Sequence, residues 1–305
     1  MSSAFIKSEL GAGLIVVVVI LLIVGMMIAV FMSLISTESF TAMGQSSGLQ
    51  SFGVAEGGVE FDQMRLAQDL LWYRSTTDPV TTGATNLGSG NFTVNSYLPA
   101  TLLRRRIPDL PSTAAITVYT TDRFPTAGFL MVGPIGLDPF EFIQYTGIAG
   151  NTFTGITRDR TIGPSGVNGE GNEHPRGEYV YPVTTLSTAL LNNCNPLATI
   201  NIVAHTKFLT AGTLAIFNAW SPNPTDWEEI SYSSSTVAGG VMTLNSVRRC
   251  QNGTVSASHS AGDPVTPILA DGTQPDYEDE IVSTGTVNSS VLGNAVRVVT
   301  KTVQR

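Results

Sequence analysis

The run from Gly11 to Ile35 is apolar, and no charge occurs between Leu10 and Ser36. At about 1.5 Å of rise per residue, a helix over it spans about 37 Å. That is enough to cross a hydrocarbon core about 30 Å thick. A cleaved secretory signal has an apolar part of roughly 7–15 residues followed by a small-residue cleavage site, and this run is too long for one. Residues 1–36 are therefore expected to form a flank and a transmembrane helix, presenting Leu14, Val18, Leu22, Ile23, Ile28, Phe31 and Ile35 to lipid or to a helix-packed core. Lys7 and the amino terminus precede the run, offset by Glu9, whereas Glu38, Glu56 and Glu60 follow it. The tendency of basic flanks to stay in the cytoplasm puts the short N-terminus inside and the rest outside.

Composition narrows the remainder. Sixteen Lys+Arg against 24 Asp+Glu give a net charge of -8, which argues against a chain that wraps nucleic acid. Only 13% of residues are charged, about half the usual share. With 30 Gly and 16 Pro, the chain reads as turn-rich and β-rich and excludes a soluble helical bundle. Two Cys and three His argue against metal clusters and disulfide-dense scaffolds. The chain carries no Ser/His/Asp set, phosphate loop, HExxH or CxxC motif, so neither an enzyme nor a cofactor is expected.

Beyond the apolar run the helix continues over residues 37–75. Gly44, Gly48, Gly53, Gly57 and Gly58 are its weak points. From Val59 to Tyr73 the pattern is amphipathic, with Val59, Phe61, Met64, Leu66, Leu70 and Leu71 leaning to one side. Ala55-Glu56-Gly57-Gly58-Val59-Glu60 resembles the Ala-Glu-Ala-Gly-Val-Glu stretch of PilX-type and related type IV pilin-like proteins. Near the C-terminus, Ile281–Val287 and Gly293–Val299 resemble the terminal strands of the same group. The resemblance covers about 100 residues at the two ends. It implies a filament subunit whose helix is stored in the bilayer and then buried in the filament core, with prepilin peptidase and an inner-membrane assembly machinery as partners. Gly11 and Ala12 are then the candidate processing site. Cleavage there leaves Val16 at the fifth mature position, where pilins carry Glu. Without that charge, register must come from side-chain packing, which favours a minor or terminal position. Residues 12 to about 50 are expected to pack against copies of themselves or a partner's helix.

The middle of the chain repeats. Phe124-Pro125-Thr126-Ala127-Gly128 matches Phe208-Leu209-Thr210-Ala211-Gly212, and Glu141–Tyr145 matches Glu228–Tyr232. Arg158 is aligned with Arg248, Gly166–Gly169 with Cys250–Gly253, and His174 with His259. Each unit reads as short strands between Gly, Pro and Asn turns, with a hairpin tip at Gly150-Asn151. The unit resembles a small β-module of phage tail and surface proteins, which implies a structural or surface-binding role. The recurring Tyr, Arg and His could hold a ligand. Bonding to loop carbonyls explains them more simply, since no nucleophile or paired carboxylate accompanies them. His205 has no repeat partner and reads as a strand residue.

Cys194 and Cys250 both belong to the second unit and are expected to bond to each other, closing a loop worth about 4 kcal/mol in the chain-entropy model. A reactive or metal-binding thiol pair is the rival. Arg104-Arg105-Arg106, the only basic run, reads either as a solvated edge or as a contact to an acidic face of another subunit. The expected fold is α+β: residues 1–36 and 37–75 form one long helix and 76–112 a linker with strands. Residues 113–183 and 184–270 form two tandem β-modules, and 271–305 the closing strands. The strand-like segments 91–97 and 296–303 would form one sheet on the helix, with the modules inserted between them. Two functions fit: a type IV pilus-like filament subunit with its modules exposed for surface contact or adhesion, or a membrane-anchored monomeric adhesin or virion spike.

Overall fold

The computed structural model describes residues 6–68, 74–109, 114–133, 141–158, 173–218, 220, 227–255, 257–268, 278–289 and 293–304. The fold is α+β: one long N-terminal helix, α1 (Ile6–Gln68), precedes an antiparallel β region. The helix passes unbroken through Gly44, Gly48 and Gly53. Leu70 and Leu71, assigned to the amphipathic stretch from sequence, lie outside the described residues.

Among the described residues seventeen strands follow. They are β1 (Val80–Leu87), β2 (Gly90–Tyr97), β3 (Thr101–Leu102), β4 (Ile116–Thr117), β5 (Gly128–Val132), β6 (Glu141–Tyr145), β7 (Gly147–Ile148), β8 (Thr152–Thr154) and β9 (Tyr179–Thr185). Then come β10 (Leu197–Val203), β11 (Gly212–Phe217), β12 (Trp227–Tyr232), β13 (Ser234–Ala238), β14 (Val241–Val247), β15 (Pro264–Pro267), β16 (Glu278–Ser289) and β17 (Gly293–Gln304).

Strands β1-β2-β16-β17 form a four-stranded antiparallel sheet in that order. The two ends of the chain therefore meet in one sheet, and both β-modules are inserted between its neighbouring strands β2 and β16. The second half of α1 lies on this sheet. Its buried stripe is Ser51, Val54, Ala55, Val59, Asp62 and Leu66, spaced by three or four residues as a helix face requires. Phe61 touches it from the side, its ring 5.6 Å from that of Phe92. Met64 is exposed, contrary to the sequence reading. Asp62 and Leu66 take the buried face on that turn, and nearer the sheet's Gly285 the face is held by the small residues Ser51 and Ala55. A Cβ on Gly285 of β16 would stand 2.3 Å from the Ser51 carbonyl oxygen and 2.5 Å from the Ala55 nitrogen.

The two inserted units share one topology. In the first, β4-β8-β7 form a small sheet and β6-β5-β9 half of a larger one. In the second, β10-β14-β13 and β12-β11-β15 do the same in the same order. The halves join where β9 pairs antiparallel with its own equivalent, β15, through Thr184↔Val265 and Thr185↔Pro264. Read from either edge, the large sheet gives the same sequence of strands, so the modules are related by an approximate two-fold axis through it. The first module also takes in residues that sequence reading left in the linker. Leu103 bridges Val118 and Ile107 bridges His174, as Leu186 bridges Ile202 and Leu190 bridges His259.

Among the described residues three apolar cores result. Leu130, Ile143, Tyr145, Phe153 and Val180 belong to the first module's core, and Leu214, Ile216, Ile230, Leu244 and Val265 to the second's. Alternate residues of the large sheet, including Met131, Phe142, Tyr181, Ala215 and Phe217, join a third core that reaches α1 and the four-stranded sheet. The large sheet is thus buried on both faces.

Candidate functional site

Among the described residues, the apolar stretch of α1 from Leu14 to Ile35 is exposed along its whole length. Leu14, Val18, Leu22, Ile23, Ile28, Phe31 and Ile35 are 48 to 69% exposed. The helix is long and apolar enough to cross a membrane, with a mean hydropathy of 3.5 over its most apolar window. Such a surface is far larger than the few hundred Å² of contiguous apolar patch that a soluble monomer usually shows. Gly11 and Ala12 lie inside the helix, two to three residues before Leu14.

The repeated polar residues converge inside each module. In the first, Arg158 donates from Nη2 to Glu141 Oε2 at 2.8 Å and from Nε to Oε1 at 3.1 Å. His174 Nε2 lies 3.3 Å from the same carboxylate, and His174 Nδ1 lies 2.7 Å from Glu178. In the second, Arg249 donates to Glu228 at 2.6 and 2.7 Å, and His259 Nε2 lies 3.2 Å from Glu228. Each arginine also caps a loop carbonyl, Pro108 in one module and Leu191 in the other. The equivalent of Arg158 is therefore Arg249, and the sequence alignment with Arg248 is one residue out. Arg248 is exposed, and its backbone bridges Ser231 as that of Thr157 bridges Gln144. The longer β13–β14 hairpin shifts the count, and two adjacent arginines hide the shift. The aligned tyrosines also match, Tyr145 Oη donating to the Pro125 carbonyl and Tyr232 Oη to that of Leu209. The aligned segment Gly166–Gly169 lies outside the described residues.

Electrostatics suits a structural cluster. Burial alone would raise the Glu228 pKa, but the bonds from His259 and Arg249 hold it at about 2. Burial alone would lower that of His174, yet the hydrogen bonds to Glu141 and Glu178 overcome it and raise the pKa. The Glu228 carboxylate stays charged because a fork of guanidinium donors and an imidazole are in reach. Among the described residues, no group of three His, Cys, Asp or Glu side chains is placed to hold a metal ion.

A second buried cluster joins the parts of the molecule, and sequence reading missed it. Arg123 and Lys207 stand at equivalent repeat positions, each just before the aligned Phe124 and Phe208. Both reach Asp78, which precedes β1. Arg123 Nη1 lies 3.2 Å from Asp78 Oδ1, and Lys207 Nζ bonds Asp78 Oδ2. The Leu98 N–H donates to Asp78 at 3.1 Å, and the Asp78 N–H donates to Asp122 at 3.0 Å. Arg123 also lies over the Tyr97 ring and donates to the Thr206 carbonyl. One carboxylate thus ties both modules to the helix-packed sheet. The signal was available as a basic residue recurring at the repeat offset. His205 is not in a strand: β10 ends at Val203, and the half-buried residue sits in the following turn with its ring beside Phe124 and Phe208. Burial, with Lys207 and Arg123 nearby, pushes its pKa down to about 3. Burial likewise brings Lys207 down to about 8, against the pull of Asp78.

Cys194 and Cys250 are bonded to each other across 56 residues of sequence. Arg104, Arg105 and Arg106 are exposed, and Arg106 pairs with Glu173 at 2.9 Å. No family model, curated protein or solved structure matches this chain.

Proposed function

We propose that this chain is a structural subunit of a type IV pilus-like extracellular filament, held by its helix in a membrane before assembly, with the cytoplasmic N-terminus and single pass read from its flanking charges. The observation that carries the reading is the division of α1. One continuous helix is seated on a sheet along its second half and bare and apolar along its first. A bilayer covers the bare half while the protein is stored, and helices of neighbouring subunits cover it in the filament, where burial of apolar surface at about 25 cal/mol per Å² drives assembly. The partners are other copies or other pilin-like subunits, the inner-membrane assembly machinery and a prepilin peptidase acting between Gly11 and Ala12. The β-modules, at the far end from the bare helix, are the parts left exposed for surface contact or adhesion. Their buried ion clusters hold shape and carry no reaction.

The test places Arg at Val18 or Ile23 in the full chain and follows two fractions, membranes and sheared extracellular fibres. The wild type is expected in both, with N-terminal sequencing of the fibre subunit beginning at Ala12. The Arg variants are expected to be lost from fibres. If they enter membranes and fibres unchanged, the helix is not the assembly core. A wild-type protein that never leaves the membrane would instead support a monomeric anchored adhesin or spike.

A further inference from the structure

Where α1 leaves the four-stranded sheet, a groove of about 710 Å³ opens in the crook between the projecting helix and β17. Its helix wall is Thr41, Gly44, Gln45, Gly48 and Phe52, and its other wall is Arg297. Arg297 lies across the sheet from Gly285, the residue on which the helix rests. A Cβ on Gly48 would stand 3.3 Å from the Arg297 guanidinium, so the glycine leaves room for the cation against the helix. Among the described residues Arg297 has no carboxylate partner, and the only hydrogen bond of its side chain goes to the carbonyl of its neighbour Val296.

The part of the same helix between Leu10 and Ala55 carries one charge, of the opposite sign. Glu38 is the sole charged residue between Leu10 and Ala55. It is exposed, and no hydrogen bond or ion pair holds it among the described residues. Within one chain the two groups cannot meet, because Glu38 lies ten residues, or about 15 Å, before Gly48 on a straight helix.

We infer that the groove receives the helix of a second copy of this chain, with Glu38 of that copy paired to Arg297. This rests on the filament reading above and gives it a register. Charge complementarity selects the occupant: any stretch of α1 from Leu10 to Ala55 laid in the groove is uncharged unless Glu38 is in it. The pairing sets neighbouring copies about 15 Å apart along the helix direction. The two surfaces in contact are different, so the interface is head-to-tail and leaves a free groove at one end and a free Glu38 at the other. Such a contact propagates into an open helical array unless its rotation happens to close a ring. Arg297 thereby supplies the register that a charge at the fifth mature position would otherwise give.

The experiment uses two differently tagged full-length copies expressed together, one bearing Arg297→Cys and the other Glu38→Cys. The native cysteines are already bonded, so the new thiols are the free ones. A crosslinked species carrying both tags is expected under mild oxidation, and Glu56→Cys in place of Glu38→Cys should give none. In untagged-cysteine backgrounds, Arg297→Glu and Glu38→Arg should each abolish co-purification of the two tags, and the double swap should restore it. A non-reducing gel showing the intact Cys194–Cys250 bond confirms that each variant folds. Copies that co-purify without the 38–297 crosslink, and that ignore the charge reversals, would overturn the groove pairing and leave the filament reading intact. Copies that never co-purify from membranes or fibres would overturn both. Crosslinking of Arg297→Cys to a different protein would replace the second copy by that partner.

Discussion

Lys207 Nζ is bonded to the Asp78 carboxylate across 129 residues of sequence, and both side chains are fully buried. Removing one partner from such a pair strands the other charge in a dry site, at a cost of about 3–5 kcal/mol. Asp78→Asn strands two, since Arg123 ends on the same carboxylate. The variant is expected to lower the unfolding midpoint of the detergent-solubilised full chain more than Lys207→Met does. Equal, small effects on thermal unfolding would show that the carboxylate is not the shared tie.

The repeat alignment makes a sharper test possible in two neighbouring residues. Arg249 is buried on Glu228, whereas Arg248 is exposed. Arg249→Ala should cost about 3 kcal/mol or more, because Glu228 is left charged in the core. Arg248→Ala should fall within about 0.5 kcal/mol, as for an ordinary surface change. Chemical denaturation of both variants decides between the two assignments.

These two clusters mark how far the sequence could be read. The long helix, the β-rich remainder, the repeat and the disulfide are legible because apolar runs, glycine spacing and paired cysteines are local signals. Met64 was placed on the buried face because hydrophobic periodicity rewards large residues, whereas Asp62 and Leu66 hold the face on its turn and a polar residue at the first of these is invisible to that pattern. The Asp78 cluster was missed because a lone acid before a strand looks solvated. Only the approximate two-fold between modules brings Arg123 and Lys207 to it, and that symmetry appears once β9 pairs with β15.

Substituting Gly285 tests the close approach of helix and sheet. Gly285→Val would drive a side chain into the helix backbone at Ser51 and Ala55. Overpacking of this kind costs about 1–3 kcal/mol. Here the helix must lift, so hydrogen exchange should rise across residues 51–66 and in β2 and β16 while the modules stay protected. Unchanged exchange in α1 would mean that the helix is seated elsewhere.

Acid should weaken the fold in two steps with known signs. His205 is held neutral down to about pH 3, while in the unfolded chain it takes a proton near its ordinary value of about 6.5. Between those limits the unfolded state binds more protons, so stability falls as the pH drops, by up to about 1.4 kcal/mol per pH unit. Glu228 adds a second loss: its stabilisation is present above its ordinary carboxylate value and disappears as the pH falls toward about 2. His174 acts the other way, because its pKa is raised. Its contribution is complete below about 6.5 and fades as the pH rises through the raised value. His205→Asn keeps an acceptor for the Lys207 N–H and has no proton to gain. Its stability curve should be flatter than the wild type's between pH 6 and 4, measured by denaturant titration at each pH.

The disulfide should act on one module more than the other. Cys194 precedes β10, and Cys250 follows β14 beside the Glu228 cluster, its own N–H donating to Glu228 at 3.2 Å. Closing a loop of that length restricts the unfolded chain by about 4 kcal/mol in the chain-entropy model. The first module carries no cysteine, so the same topology stands there without a bridge. The second module has the longer β13–β14 hairpin, and the bond fixes the end of β14 to the start of β10, on which it pairs. In the double variant Cys194→Ser with Cys250→Ser, hydrogen exchange should rise first in β10, β13 and β14. Strands β4, β7 and β8 of the first module should keep their protection. The shared sheet sets the limit: β15 pairs with β9 over only two residue pairs, too short a seam to force the modules to open together. Equal loss of protection in both small sheets would show instead that the two modules unfold as one unit.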